Sequence, residues 1–371
     1  MKEKDRMPNK ESKNRLNMLL DGYSITNAVI SNKDRVTFVL KHDGGEGFIG
    51  LREELETDVI LYNPKFHAEK KGVKATFWKQ GISQAWLSYA GDETRPTVVW
   101  SSGVYNLEFN SDTGWESTGW QELAEPDNSG AKENPAELRR VQGCKNIDGE
   151  VYMYGRFRKL YKRIGKQQYQ DLTYERTHPN LYSDIYQMRK KNKKLPSGLM
   201  MGFNAVDGFN KHDIYGCGDR GDFWHYNGQK WKTLDAPANF DMESIVCAAD
   251  GNVYVAGALG NIIKGRYDSK TGKEHWKPIK TNISGTDTRI NSLAWFKGKL
   301  YLGTDWALYS LDENEKFEKV IFPEGGFEQY SFANVASCDE ALLSYGVKQA
   351  LIFDGESWDE IVGSIVVADP Y

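Results

Sequence analysis

The chain has 371 residues, of which 39% are hydrophobic and 27% are charged. It carries 48 basic and 52 acidic residues, a net charge of -4 at pH 7, which argues against binding nucleic acid through overall charge. The content of 11 Trp, 20 Tyr, 16 Phe and 36 Gly favours many short strands joined by tight turns.

The N-terminal segment, residues 1–15, is polar and charged throughout, and we expect it to form a tail before the folded domain. It lacks the apolar stretch of a signal peptide, and no part of the sequence is apolar for long enough to span a membrane. The sequence therefore predicts a cytoplasmic protein that does not associate with membranes.

Two irregular groups of short apolar segments come next in the chain. The first group consists of Arg35–Leu40, Phe48–Leu51 and Val59–Leu61. The second group consists of Val98–Trp100, Gly103–Leu107 and Gly119–Leu123. Each group has the β-prone composition and the turn residues of a small antiparallel meander.

A regular pattern follows and occurs five times, beginning near residues 144, 213, 244, 292 and 335. It comprises a strand, a turn, a strand of the type h-Y-h-x-G (h is hydrophobic), a third strand, a turn, and a last strand that starts with an aromatic residue. The copy at Ser244–Ala249, Val253–Gly257 and His275–Ile279 shows it most clearly. Asp250-Gly251 between its first two strands is a strong hairpin signal.

The aromatic residues that open the last strands are spaced by 62, 45, 41 and 41 residues; they are Tyr169, Trp231, Trp276, Phe317 and Trp358. Most of these spacings match the period of propeller blades. One four-stranded meander cannot bury both faces, whereas a ring of stacked meanders buries them all. We therefore predict an all-β protein, a β-propeller of seven blades of four antiparallel strands, with the aromatic residues packed between blades.

The predicted organisation is a single propeller domain over residues 16–371. Residues 124–137 and 175–198 interrupt the repeat and are expected to be surface insertions. The second insertion contains the basic run 189–194, which we interpret as a solvated loop rather than a nucleic-acid site.

From residue 199 onward the chain resembles the β-propeller superfamily, although no named repeat subfamily fits. Trp-Asp, typical of WD repeats, occurs once, at Trp358-Asp359, and Gly-His does not occur. Divergent propellers of this size resemble immunity proteins of bacterial polymorphic toxin systems, which bind a cognate toxin domain and block its active site. The resemblance implies a bacterial, non-enzymatic protein whose partner is a toxin domain.

The sequence shows no motif of a cofactor, metal or nucleophilic site. The six His residues have no metal-ligand spacing, and Gly216–Gly221 precedes a strand-like segment instead of the helix that a dinucleotide needs. The four cysteines, Cys144, Cys217, Cys247 and Cys338, form no C-x-x-C pair. We expect four buried free thiols, with two disulfides in a secreted protein as the alternative. No catalytic residue, cofactor or metal is predicted.

The predicted partner-binding face consists of the turns between second and third strands and the connections between blades, which share one side of a propeller. Its candidate residues are Arg156, Phe157, Arg158, Asp219, Arg220, Asp287, Arg289, Asp305, Trp306, Glu328, Tyr330 and Lys348, with Leu259 in one of the same turns. Such a mixture of Arg, aromatic and acidic residues suits a protein interface. The alternative is ordinary exposed turn chemistry. We expect a monomer with one protein partner.

A second functional hypothesis is a glycan-acting enzyme or small-ligand binder that uses the central pocket of the propeller. It requires inward-facing carboxylates and arginines, with Asp219, Asp305, Arg156 and Arg158 as candidates. Two carboxylates about 5–9 Å apart would favour it.

Overall fold

The computed structural model describes residues 23–33, 35–42, 57–62, 73–77, 85–89, 96–100, 103–110, 114–121, 141–156, 158–165, 168–173, 191, 201–237, 239–283, 288–322 and 334–362. The chain divides into two compact units. The first unit comprises Met1–Ser83 and Thr281–Tyr371, and the second unit comprises Gln84–Lys280. Within the described ranges, the strands pair into antiparallel four-stranded sheets, and each sheet takes its strands from one continuous stretch of chain.

The second unit contains four of these sheets in its described part. Their strands are β5 (Ala85–Tyr89), β6 (Pro96–Trp100), β7 (Gly103–Asn110) and β8 (Gly114–Gln121); β9 (Val141–Ile147), β10 (Glu150–Gly155), β11 (Lys159–Gly165) and β12 (Gln168–Asp171); β13 (Ala205–Asn210), β14 (Asp213–Cys217), β15 (Phe223–Tyr226) and β16 (Trp231–Thr233); and β17 (Met242–Cys247), β18 (Val253–Gly257), β19 (Ile262–Asp268) and β20 (Lys273–Ile279). The first strands of consecutive sheets lie beside one another: β5 beside β9, β9 beside β13, and β13 beside β17.

The first unit contains three such sheets in its described part. Their strands are β1 (Tyr23–Asn32), β2 (Arg35–His42), β3 (Thr57–Tyr62) and β4 (Val73–Phe77); β21 (Ile290–Phe296), β22 (Lys299–Thr304), β23 (Leu308–Leu311) and β24 (Phe317–Lys319); and β25 (Asn334–Ser337), β26 (Leu342–Tyr345), β27 (Ala350–Phe353) and β28 (Trp358–Val362). Here β21 lies beside β25, and β25 lies beside β1.

The hydrophobic core lies between the faces of neighbouring sheets. In the second unit, Tyr215 and Phe223 pack with Val255 of the next sheet, and all three are nearly or completely buried. In the first unit, Phe296 and Leu308 share a cluster with residues of β26 and β27. This arrangement buries both faces of a sheet, which one meander could not do alone.

Polar side chains join the first strands of neighbouring sheets. The Asp207 carboxylate on β13 accepts the backbone N–H of Cys247 on β17 at 3.0 Å, and Lys145 Nζ on β9 lies 3.5 Å from its Oδ2. The Ser292 hydroxyl on β21 likewise accepts the backbone N–H of Val335 on β25 at 2.8 Å. Because strands of different sheets do not share a backbone ladder, these bonds satisfy groups that would otherwise be buried and unpaired.

Three of the recurring aromatic residues contact the sheet that precedes their own. Trp231 Nε1 donates to Leu172 O at 2.8 Å, and its ring lies in the cluster that contains residues of β9–β11. The Trp276 ring lies 4.8 Å from the Phe223 ring of the previous sheet. Trp358 packs against Phe322, with ring centroids 4.9 Å apart, and Phe322 follows β24 of the previous sheet. These tryptophans therefore fill the space between sheets, as the sequence predicts.

Of the other two recurring aromatic residues, Phe317 packs differently and Tyr169 is described only in its backbone. The Phe317 ring stacks on Tyr309 of its own sheet, with centroids 4.9 Å apart. Tyr169 lies within β12 as expected, and its side chain is outside the described residues.

The all-β class and the four-stranded antiparallel meanders that the sequence predicts are confirmed by these sheets. The expected strand Phe48–Leu51, the N-terminal tail 1–15 and the insertion 124–137 lie outside the described residues, as does the insertion 175–198 except for Lys191. The extent of a single domain and the number of blades stay predictions.

Candidate functional site

Two of the turns between second and third strands in the second unit are tight and carry two successive positive φ angles. In the turn from β14 to β15, Arg220 has φ 57° and Gly221 has φ 74°, and Asp222 N–H donates to Asp219 O at 3.1 Å. In the turn from β18 to β19, Leu259 has φ 59° and is followed by Gly260 with φ 68°. Two successive positive φ angles characterise a type I′ turn, in which Asn-Gly and Asp-Gly are the favoured pairs.

Asp241, in the connection that leads into β17, holds these two turns side by side. Its Oδ1 accepts the backbone N–H of Arg220 at 2.9 Å, while its backbone O accepts the N–H of Ala258 at 2.9 Å. A methyl group on Gly257 would lie 2.0 Å from Asp241 O, so the close approach requires glycine. The connection between sheets is thus hydrogen-bonded to the turns of both sheets that it joins.

Arg158 connects the turn after β10 to the turn after β14. Its Nε donates to Asp222 Oδ2 at 2.8 Å and its Nη2 donates to Asp222 Oδ1 at 2.9 Å, which makes a two-pronged ion pair. Trp224 Nε1 donates to the same Oδ1 at 2.7 Å, and the Arg158 guanidinium lies 4.9 Å from the Trp224 ring. The side chains of Arg158 and Asp222 are only 15% and 7% exposed. The guanidinium is therefore used inside the protein and positions the turn.

Asn204, just before β13, adds a further connection. Its Nδ2 donates to Asp219 Oδ1 at 2.7 Å and to Met242 O at 3.0 Å. Nearby, Arg156 forms an isolated β-bridge with Gly202. We name the surface formed by the turns 156–159, 219–222 and 258–261, with the connections 202–204 and 240–242, the turn platform.

The exposed side chains of the platform are Asp219, Arg220 and Leu259, and Arg156 is partly exposed. Within the described part of the chain, no hydrogen bond or ion pair is found for the guanidinium groups of Arg156 and Arg220, and Arg220 is exposed. The carboxylates of Asp219, Asp222 and Asp241 each accept at least one hydrogen bond. Leu259 is 61% exposed. The groups of the platform that have no partner among the described residues are therefore guanidinium groups and an apolar side chain.

The second–third turns of the first unit also carry exposed apolar side chains. Trp306, between β22 and β23, is 83% exposed, and the neighbouring Asp305 accepts Asn291 Nδ2 at 2.8 Å. Val347, between β26 and β27, is 50% exposed. Its backbone O accepts the N–H of Ile25 at 2.8 Å, so this turn also bonds to the neighbouring sheet.

Each of the two units thus contains four of the described candidate residues. The turn platform of the second unit holds Arg156, Arg158, Asp219 and Arg220, and the first unit holds Arg289, Asp305, Trp306 and Lys348. Lys348 Nζ donates to Tyr23 O. Four candidates, Phe157, Asp287, Glu328 and Tyr330, lie outside the described residues.

Sequence reasoning missed the residues that support the turns. Asp241, Asn204 and Asp222 carry no motif and lie in segments that read as loop or turn. Their shared feature is an Asp or Asn beside a connection or a tight turn, a position from which a side chain can bond backbone N–H groups.

Burial controls the titratable groups elsewhere in the second unit. Desolvation raises the pKa of Asp207 above its ordinary value, opposed by Lys145 and by the N–H groups of Cys247 and Gly208. Desolvation also raises the pKa of the Cys217 thiol, which is fully buried. All four cysteines are free thiols, so the alternative of two disulfides is wrong. Raised pKa values keep thiols protonated and unreactive.

The described part of the chain contains neither a cluster of potential metal ligands nor a helix that could cross a membrane. No group of three or more His, Cys, Asp or Glu side chains there is placed to hold a metal ion. No helix there is both long and apolar enough to cross a membrane.

Comparison with known proteins shows a similarity in sequence. No family model matches the chain. The chain is 29% identical over 223 residues to the immune protein Tsi7 of Pseudomonas aeruginosa, a match that covers 60% of this chain and 64% of that protein. The chain therefore spans less than two thirds of the length of this relative.

Solved structures resemble the chain over most of its length. The WD40 β-propeller domain of Doa1 has a TM-score of 0.56 at 11% identity and covers 90% of this chain and 94% of its own. YCF48 bound to D1 peptide has a TM-score of 0.55 at 11% identity, with coverages of 89% and 91%. The extracellular domain of BT4673 from B. thetaiotaomicron has a TM-score of 0.53 at 14% identity, with coverages of 88% and 38%. At these identities the likeness shows that the chain has a β-propeller fold.

Proposed function

We propose that this chain is an immunity protein of a bacterial toxin system, a non-enzymatic β-propeller that binds and neutralises a cognate toxin domain. The similarity to the immune protein Tsi7 carries the proposal. The toxin domain would bind to the second–third turns and the connections between sheets. We propose further that the chain acts as a monomer in the bacterial cytoplasm.

The chemistry of the turns supports a protein partner. Trp306 and Leu259 are large apolar side chains at 83% and 61% exposure, and they lie beside charged residues. Interfaces are enriched in aromatic residues and arginine, and the energy concentrates in a few such side chains. The turn that carries Leu259 is hydrogen-bonded to the connection that leads into its sheet, which lowers the entropic cost of ordering it on binding.

We also propose that the seven four-stranded sheets are the seven blades of one ring that covers residues 16–371. This proposal follows from the order of the first strands within each unit and from the repeat length in the sequence. Small-angle X-ray scattering of the full chain would test it. Scattering that fits two separately moving bodies would contradict it.

The functional proposal is tested by co-expression. The toxin domain encoded beside the gene of this protein is expressed from an inducible promoter, with and without this chain. We expect this chain to restore growth and to co-elute with the toxin domain as a one-to-one complex. Growth arrest that this chain does not relieve, together with separate elution, would overturn the proposal.

A further inference from the structure

We propose that Arg220 and Leu259 form the specificity-determining pair of the turn platform, and that they recognise a carboxylate beside an apolar pocket on the partner protein. This inference rests on the proposed function, because it names the chemistry of the partner at the same surface. Four observations support it.

The first observation is that Arg220 and Leu259 both have a backbone conformation that is unfavourable for a bulky side chain. Both residues occupy the left-handed region, with φ 57° at Arg220 and φ 59° at Leu259. Positive φ is uncommon for any residue other than Gly, Asn or Asp, and it is a marked outlier for a bulky residue. Asn would satisfy both turns with less strain. The fold therefore gives no reason for Arg or Leu at these two positions.

The second observation is that neither side chain is used inside the described part of the protein. Arg158, also at positive φ, is bound to Asp222, and Lys297, at φ 46°, donates to Asp354 O. Those two residues have internal contacts that explain them. Arg220 is exposed, and its guanidinium has no hydrogen bond or ion pair with any described residue. Leu259 is 61% exposed.

The third observation is that the two turns are fixed beside each other. Asp241 bonds the backbone N–H of Arg220 through its carboxylate and the N–H of Ala258 through its carbonyl. The two side chains therefore project from one rigid support and can contact one partner surface together. Strained backbone that its surroundings hold in place is typical of binding sites.

The fourth observation is the charge of the platform. The three nearby carboxylates, Asp219, Asp222 and Asp241, accept hydrogen bonds from within the protein. Among the described residues of the platform, the guanidinium groups of Arg156 and Arg220 have no hydrogen bond or ion pair, and Arg220 is the more exposed of the two. Its planar fork of donors matches a carboxylate, and Leu259 beside it matches an apolar pocket. The partner residue that meets Arg220 is accordingly a carboxylate, and it lies beside an apolar depression that accepts Leu259.

The test uses the full chain and the toxin domain encoded beside its gene. The variants are Arg220→Asn, Arg220→Glu and Leu259→Asn. Two matched controls lie at the opposite end of the strands in the same unit: Lys230→Asn removes an exposed positive charge, and Ile164→Asn removes an apolar side chain that is 56% exposed. The measurements are dissociation constants by calorimetry at two salt concentrations and thermal unfolding of each free protein.

We expect Arg220→Asn and Leu259→Asn each to weaken binding by about thirtyfold or more, the scale of an interface hot spot. Both should raise the unfolding temperature by about 1 °C, because Asn relieves the strain. Arg220→Glu should bind more weakly than Arg220→Asn, and loss of Arg220 should reduce the salt dependence of binding. The two control variants should bind as the wild type does.

Each of the following results would contradict a different part of the proposal. If the wild type binds and Arg220→Asn and Leu259→Asn bind within about threefold of it, the inference is wrong and the proposed function stands. If Arg220→Glu binds as well as Arg220→Asn, the partner residue is not a carboxylate, and the proposed partner chemistry is wrong. If the wild type neither binds nor protects, the proposed function fails and this inference fails with it.

Discussion

The ion pair between Arg158 and Asp222 provides the sharpest test of how the turn platform is built. The pair joins two sheets through residues 64 positions apart, with side chains 15% and 7% exposed. Asp222→Asn keeps an oxygen that can accept Trp224 Nε1 but removes the charge opposite a largely buried guanidinium. Removing one partner of a buried pair costs about 3–5 kcal/mol, and the residual exposure of Arg158 places the expected loss near the lower limit, about 3 kcal/mol.

A double-mutant cycle separates the pair from its surroundings. Arg158→Met should cost about as much as Asp222→Asn, because it leaves a carboxylate buried with only the indole N–H and backbone neighbours. The double variant leaves no buried charge. We expect it to be more stable than the sum of the single losses predicts, by about 2 kcal/mol.

The assay is urea unfolding followed by circular dichroism, with hydrogen exchange of peptides that contain residues 156–159 and 218–222. The matched control is Lys316→Met, which breaks an ion pair with Glu318 whose side chains are 65% and 51% exposed. That control should leave the unfolding midpoint unchanged. Additive losses in the cycle, within about 0.5 kcal/mol, would refute the claim that this pair couples the two turns.

Three further predictions concern packing and pH. Trp231→Phe should destabilise the protein by about 1–2 kcal/mol in urea unfolding, because it removes the bond to Leu172 O. Gly257→Ala should cost about 1–3 kcal/mol and speed hydrogen exchange in the turn platform, because its methyl group would meet Asp241 O. Burial raises the pKa of Asp207. Its contribution to stability is therefore complete below the unfolded value of about 3.9 and falls as the pH rises through the folded pKa, so Asp207→Asn should flatten this part of the stability–pH profile.

Each of these predictions has an opposing result. A Trp231→Phe protein as stable as the wild type would show that the hydrogen bond between sheets is not needed. Unchanged exchange in Gly257→Ala would show that the connection at Asp241 can move away. An Asp207→Asn protein that keeps the wild-type decline in stability on raising the pH would assign that decline to another group.

Much of the fold could be predicted because its signals are local. Val253–Gly257 is both the predicted and the observed strand, and the predicted Arg35–Leu40 lies within the observed strand Arg35–His42. The first strand β13 was missed because its sequence AVDGFN contains a buried aspartate and a glycine, which do not read as an apolar strand. Asp207 in this strand bonds to groups on β9 and β17, and the local sequence does not predict where those strands lie.

The sequence predicts which turns carry the candidate residues, but it does not predict the contacts that these residues make. The order of strands places Arg158 and Arg220 in second–third turns, and the structure finds them there. The partner of Arg158 is Asp222 in the next sheet, and this pairing depends on how two sheets stack. The left-handed backbone of Arg220 and Leu259 could not be predicted either, because the sequence signal for such a turn is Asn-Gly or Asp-Gly.

The same arrangement separates the residues that support the platform from those that face outward. In the turn after β14, the structural requirements fall on Gly221, which has φ 74°, and on Asp222, which binds Arg158. Arg220, which precedes both, is hydrogen-bonded to the described residues through its backbone N–H alone, and any residue except proline offers that group. Leu259 lies at the equivalent position of the next sheet. Residues at these two positions can therefore change without loss of a supporting bond, so the partner specificity of the platform is separable from the stability of the sheets beneath it.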